Sequence, residues 1–287
     1  MKNIKYLLEF LLTILSFAIF KILGPTISSN LSGKIFEKIG PLFRSREIIE
    51  TNIKKAIPNI ESKDIKNISK LMWNNYGRIF AEYIFIKDFR FGKLKKNIHI
   101  DGQNILEEIK KSNKQVIFIS GHLSNFELMA MHLDKTGINL SAIYRPLNNI
   151  FLNKTMEKIR KENICKNQIK KGRSGSRQVI KNLIEGKSIA LMIDQRVREG
   201  EKVKFFNNLA TTTTIPAQLV KKYNCDLVPI YIERKKSNYF KIYISKPIQI
   251  TKSKSIIEIT EFLNKILEKM ILKNIDQWIW THDRWKN

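Results

Sequence analysis

Four short apolar runs alternate with helix-length stretches through the middle of the chain: QVIFIS (Gln115–Ser120), LSAIYR (Leu140–Arg145), SIALMID (Ser188–Asp194) and LVPIYIE (Leu227–Glu233). A continuous apolar run of this kind reads as a strand buried on both faces, which requires helices above and below the sheet. Glu127–Thr136, Ile150–Lys161, Gln178–Glu185 and Pro216–Tyr223 supply candidate helices between the runs. The alternation restricts the chain to an α/β fold with a mixed, largely parallel sheet flanked by helices. Tyr239–Ser245 (YFKIYIS) is placed to return beside the preceding strand as a hairpin, and Ile256–Met270 reads as a last amphipathic helix. No internal repeat or flexible linker divides this region.

Ahead of it, Ile4 to Leu23 (IKYLLEFLLTILSFAIFKIL) is nearly all apolar. Twenty helical residues span about 30 Å, the thickness of a bilayer core. Lys5, Glu9 and Lys21 lie toward its ends, where long side chains can reach the interface. Gly24-Pro25 stops the helix. A membrane anchor is the favoured reading; the alternatives are a signal peptide, for which no A-x-A cleavage site follows, and an ordinary buried helix. Between Glu47 and about Phe85 two apolar stripes at helical spacing, broken by Pro58, predict a pair of amphipathic helices. The expected organisation is an anchor over residues 1–25 and one large domain over 26–287, with a helical lead-in (26–95) and an α/β core (96–287).

The 52 Lys+Arg against 26 Asp+Glu give a net charge of +26, a field that attracts nucleic acid, anionic lipid headgroups or an acidic carrier protein. Abundant Ile, Lys and Asn suggest AT-rich coding, so part of that charge reflects codon drift. No helix-turn-helix, finger or RNP-type signature accompanies it, which argues against nucleic acid. Cys165 and Cys225 form neither a disulfide framework nor a zinc set, and His99, His122, His132 and His282 lack metal-ligand spacing. No metal or other cofactor is expected.

The chemistry concentrates in SGHLSNFE (Ser120–Glu127), directly after the first strand, and open α/β sheets bind ligands at the carboxyl ends of strands. Ser124-x-x-Glu127 has the form of a capping box, with Ser124 as N-cap. On one continuous helix His122 and Glu127 would diverge by about 140°. Across a loop-to-helix junction they can meet, and a carboxylate on one imidazole nitrogen leaves the other free to take a proton. The plain alternative is a capping glutamate beside a turn histidine. No G-x-S-x-G supports a serine nucleophile.

GHLSNFE resembles the H-x4-D/E box of glycerolipid-type acyltransferases, and in its SGH–N–E form the lipid A biosynthesis (lauroyl/myristoyl) acyltransferase family. Further blocks follow in the family's order: Tyr144-Arg145-Pro146-Leu147-Asn148-Asn149, Asp194-Gln195-Arg196, Phe205-Phe206 with Thr211–Thr214, Val228-Pro229-Ile230, and Trp278-Ile279-Trp280-Thr281-His282-Asp283-Arg284-Trp285. Together with the N-terminal helix they cover nearly the whole chain. The resemblance implies an O-acyltransferase that uses no acyl-enzyme. His122 would deprotonate the acceptor hydroxyl and Glu127 would orient the imidazole. Arg160, matched by position, would stabilise the oxyanion; Arg145 competes for that role.

By the same resemblance Arg145, Asn148, Asn149, Asp194, Gln195 and Arg196 would contact substrate, although a salt bridge is an equally good role for Asp194. The implied donor is an acyl-acyl-carrier-protein and the implied acceptor a lipid A precursor of the Kdo2-lipid IVA type, with another membrane lipid as the alternative. The implied location is the cytoplasmic face of the bacterial inner membrane. Acyl chain length, acylation position and oligomeric state stay open.

Two features depart from or fall outside the pattern. Asn207-Asn208 stands where many relatives carry Gly after the Phe pair, which leaves the local turn undetermined. The basic stretch Lys170–Arg177 fits no phosphate-binding loop; it is either a solvated loop or a grip for lipid phosphates or the carrier protein. Trp278, Trp280 and Trp285 suit an interfacial belt and a packed core equally.

Overall fold

The computed structural model describes residues 2–286. Five helices come first: α1 (Lys2–Leu23), α2 (Pro25–Ile39), α3 (Arg46–Ala56), α4 (Ser62–Glu82) and α5 (Ile86–Phe91). Gly24, at φ 78°, breaks the chain between α1 and α2, and Pro25 starts the next helix, where its missing N–H costs nothing. Helix α1 is long and apolar enough to cross a membrane. Only Phe17 and Phe20 of α1 are buried, both against Phe80 of α4 with ring centroids 5.4 and 5.9 Å away. Phe10 is half-buried against Phe151, and most of the remaining apolar surface faces outward, so α1 is no core helix.

The α/β region contains β1 (Ile98–Asp101), α6 (Gln103–Ser112), β2 (Val116–Ser120), α7 (Glu127–Lys135), β3 (Leu140–Tyr144), α8 (Ile150–Asn163), β4 (Asn167–Lys170), α9 (Arg173–Ile184) and β5 (Ser188–Met192). A small hairpin of β6 (Glu201–Phe205) and β7 (Asn208–Thr212) precedes α10 (Ile215–Tyr223), β8 (Asp226–Lys236), β9 (Tyr239–Ile244) and α11 (Ile256–Lys273). The main sheet has seven strands in the order β1-β9-β8-β2-β5-β3-β4. Strands β8, β2, β5, β3 and β4 run parallel; β9 turns back antiparallel on β8 as expected, and β1 lies parallel to β9.

Strand β2 at the centre shows why its run is apolar throughout. Ile117 and Ile119 belong to the core on one face, with α3, α4, α10, α11 and the C-terminal tryptophans. Val116 and Phe118 belong to the core on the other, with α5, α6 and α7. Successive side chains alternate between faces, so a strand covered on both sides has no polar position to offer.

Phe206 and Asn207 form the two-residue turn of the β6–β7 hairpin. Phe205 pairs with Asn208, and Phe206 and Asn207 have φ of 49° and 58°. A turn with both central residues left-handed favours Asn or Gly, so Asn207 meets the same backbone demand that Gly would.

Candidate active site

Strands β2 and β5 are parallel neighbours in register, Ser120 opposite Met192. The chain leaves both at the same edge, and the Ile193 amide donates to the Ser120 carbonyl at 2.9 Å. The next residues, His122 and Asp194, therefore emerge side by side although 72 positions separate them. Gly121 lets the loop pass close to this point: a Cβ there would lie 3.3 Å from the Asp194 Cβ and 2.8 Å from Leu267 of α11.

The carboxylate that meets the imidazole is that of Asp194, not Glu127. His122 Nδ1 lies 2.8 Å from Asp194 Oδ1, while the His122 amide and the Trp278 indole Nε1 each donate to Oδ2 at 2.8 Å. Asp194 is fully buried; the His122 side chain keeps 21% of its surface open. Phe126 packs edge-on to the imidazole at 4.8 Å. With Nδ1 engaged, the outer nitrogen Nε2 has no partner among the described residues and remains to exchange a proton.

Burial alone would raise the Asp194 pKa, but the His122 charge and the hydrogen bonds from His122 and Trp278 outweigh it and hold the acid at about 2. For His122, burial works downward; the neighbouring Asp194 charge and hydrogen bond, with help from Glu127, outweigh it and move the pKa up. Asp194 is thus a fixed anion whose charge favours a proton on His122.

Glu127 has a different partner. Arg160 of α8 donates to Glu127 Oε1 from Nε at 2.9 Å and from its terminal nitrogen at 2.6 Å, with both side chains largely buried. The guanidinium also lies over the Tyr144 ring. Two of the residues expected to act together with His122 are therefore joined to each other.

The expected capping box is absent. Helix α7 starts at Glu127 with Phe126 at its N-cap and no side-chain cap. Ser124 is left-handed at φ 47°, its amide donates to the Gln277 carbonyl, and its buried hydroxyl has no partner. A left-handed Ser124 aims its side chain away from the first turn, so the local S-x-x-E spacing misleads. The loop is held from behind instead: Asn125 donates to the fully buried Glu82 of α4, which also accepts from Ser29 and from both terminal nitrogens of Arg234.

The remaining expected residues divide. Arg145 follows β3 and is exposed, and its charge is felt by Lys171, which follows the adjacent strand β4. Lys171 in turn is felt by His122 and Asp194. Asn148 is exposed. Asn149 is buried and caps α8, accepting from the amides of Phe151 and Leu152 and donating to the Tyr6 carbonyl and Glu9 of α1. Its hydrogen bonds are used within the protein. Gln195 and Arg196 continue the loop after β5, where the Arg196 amide donates to His282 Nε2 at 2.9 Å. Trp278, Trp280 and Trp285 are all buried, which settles them as core residues. Lys170 ends β4 and Arg173 begins α9, so the basic stretch is a strand-to-helix junction.

Sequence reasoning missed Trp278 and Lys171 as neighbours of the site. The available signal was topological: strands of a parallel sheet end on one edge, so the polar residues after each run are candidates for one cleft.

A histidine with one nitrogen fixed by a buried acid and the other open is the equipment of an enzyme that moves protons. The chain matches the family model of bacterial lipid A biosynthesis acyltransferases over residues 1–287 and belongs to that family, an acyltransferase family. A lipid A biosynthesis acyltransferase of Haemophilus influenzae is 24% identical over 263 residues, covering 88% of this chain and 81% of that protein. The crystal structure of the 1-acyl-sn-glycerophosphate acyltransferase of Thermotoga maritima superposes with a TM-score of 0.44 and 12% identity, over 91% of this chain and 99% of that one.

Proposed function

We propose that this acyltransferase moves a fatty acyl chain from an acyl-acyl-carrier-protein thioester to a hydroxyl of a lipid A precursor of the Kdo2-lipid IVA type, with His122 as general base. The supporting observation is the His122–Asp194 pair, with its outer nitrogen unengaged. The acceptor hydroxyl gives its proton to His122 Nε2 as its oxygen attacks the thioester carbonyl carbon. The tetrahedral oxyanion then collapses, the carbon–sulfur bond breaks, and His122 returns the proton to the departing thiolate. Asp194 holds the ring and stabilises the imidazolium between the two transfers.

The developing oxyanion needs donors. Arg160 already gives two donors to Glu127. We assign the oxyanion to the cations at the neighbouring strand ends, Lys171 and Arg145, and give the Glu127–Arg160 pair the task of fixing α7 and α8 beside the imidazole. Asn148, Gln195 and Arg196, which follow the same strand ends, are assigned to substrate contact. Helix α1 serves as the anchor, at the cytoplasmic face of the inner membrane, where the surplus of basic side chains meets anionic lipid headgroups and the acidic carrier protein.

The test is acyl transfer by the full-length protein in detergent, offered acyl-carrier-protein thioesters and a panel of lipid acceptors, with products read by mass spectrometry. Acylated Kdo2-lipid IVA that disappears in His122→Ala is the expected result. Transfer to a different lipid only, or undiminished transfer by the variant, overturns the acceptor or the base, respectively.

A further inference from the structure

Arg284 is a fully buried cation that makes no salt bridge among the described residues, the neighbouring Asp283 included. Its terminal nitrogens donate to neutral oxygens, the Thr211 carbonyl at 2.9 Å and Thr212 Oγ1 at 2.7 Å, and its Nε has no partner. Burying an unpaired guanidinium is costly, because water that would solvate it is lost. Such a group persists where a fixed opposite charge lies within reach of a poorly screened field.

Asp194 supplies that charge. The Arg284 guanidinium lies over the Phe205 ring, 4.8 Å from its centroid. Phe205 packs edge-on against Trp278 at 6.0 Å, and the Trp278 indole donates to Asp194. The aromatic rings of Phe205 and Trp278 thus connect the buried cation to the buried anion. The chain reinforces the link: His282, two residues before Arg284, accepts from the amide of Arg196, two residues after Asp194. Burial lowers the Arg284 pKa to about 10 while the Asp194 charge pulls it back up, so Arg284 is charged near neutral pH.

We infer that Arg284 is the permanent counter-charge of the His122–Asp194 pair, a positioning residue that balances the Asp194 anion so that His122 can begin a turnover without a proton. An isolated buried aspartate recruits its neutralising charge from the nearest titratable group, which here is His122 itself. A fixed cation behind these aromatic rings relieves that demand. The other groups acting on the pair are Lys171 after β4, Tyr76 of α4, Glu127 of α7 and His282. Of these Tyr76 and His282 are uncharged near neutral pH, because burial raises the phenol to about 12 and lowers the imidazole. Glu127 is matched by Arg160, and Lys171 is exposed at the strand end.

The inference rests on the reading of His122 as the base, and two measurements on the full-length protein in detergent test it separately. In the first, kcat/KM for acyl transfer is followed across about pH 5.5 to 9.5 in wild type, Arg284→Lys and Arg284→Gln. The Gln variant should show its acidic limb moved to higher pH, losing at least about threefold near pH 6.5 relative to its own plateau. The Lys variant should overlay the wild-type profile. An equal, pH-independent loss in both variants would mean a purely structural arginine and overturns the proposal. The second uses no acyl transfer: thermal stability of Asp194→Asn, Arg284→Gln and the double variant. Opposed charges predict that the double variant loses less than the two single losses together, and that it folds even where the single Arg284→Gln does not. Additive losses, or a double variant less stable than either single one, overturn the counter-charge whatever the reaction proves to be.

Discussion

Two of the three hydrogen bonds on the Asp194 carboxylate come from one residue: His122 gives its backbone amide to one oxygen and its ring nitrogen to the other. This bracket fixes both the loop and the imbedded imidazole, so the ring cannot rotate without breaking a contact at 2.8 Å. An Asp194→Asn change keeps the shape but replaces an acceptor with a group that also donates, which favours the wrong tautomer of His122. Acyl transfer should fall by about 10²–10⁴-fold. Steady-state kinetics of the purified variant check this, and full turnover would remove Asp194 from the mechanism.

The pH dependence follows from the same pair. A base must start unprotonated, and the His122 pKa lies above its ordinary value. The rate should therefore fall on the acid side with a midpoint above about 6.5 and level off in alkali. Stability has the opposite sign for His122: its contribution is complete below the unfolded pKa and is lost as pH rises through the higher folded value. Asp194, held at about 2, contributes stability that is present above the ordinary carboxylate range and is lost as pH falls toward 2. A pH–rate profile beside calorimetry over the same range checks both directions.

Glu127 and Arg160 should behave as a unit. Each side chain is about nine-tenths buried, so removing one leaves an unmatched charge. Glu127→Leu or Arg160→Met should cost about 3–5 kcal/mol of stability, and the double variant much less than the sum. A denaturation cycle on the four proteins gives the coupling; additive values would show that the pair does not interact.

The β6–β7 turn makes a small, local prediction. Asn207→Gly should change stability by only a few tenths of a kcal/mol, whereas Asn207→Val should cost about 1–2 kcal/mol, because a β-branched residue resists positive φ. Thermal denaturation distinguishes the two.

Much of the fold was legible because its central strands are covered on both faces and so lack polar residues. β2, β3, β5 and β8 all announced themselves in this way. The polar edge strands β1 (IHID) and β4 (NQIK) did not, since an edge strand carries no such demand. The β6–β7 hairpin was hidden for a related reason: its outward positions Glu201, Lys202 and Lys204 face solvent. At the site, His122, Glu127, Arg160 and Asp194 were each visible as residues, but their pairing was not. Local spacing joined His122 to Glu127. The sheet joins it to Asp194 through the β2–β5 register, which no window of sequence around position 122 contains. Arg160 of α8 reaches Glu127 of α7 across 33 positions of sequence, equally out of local reach.

Trp278 is the last of the donors to Asp194 to leave the ribosome, and Arg284 follows it. The apolar α1 leaves before both. Synthesis therefore delivers the segment suited to lipid well before the last support of the His122–Asp194 pair, so a growing chain can be placed at its surface long before it is competent to alter anything there.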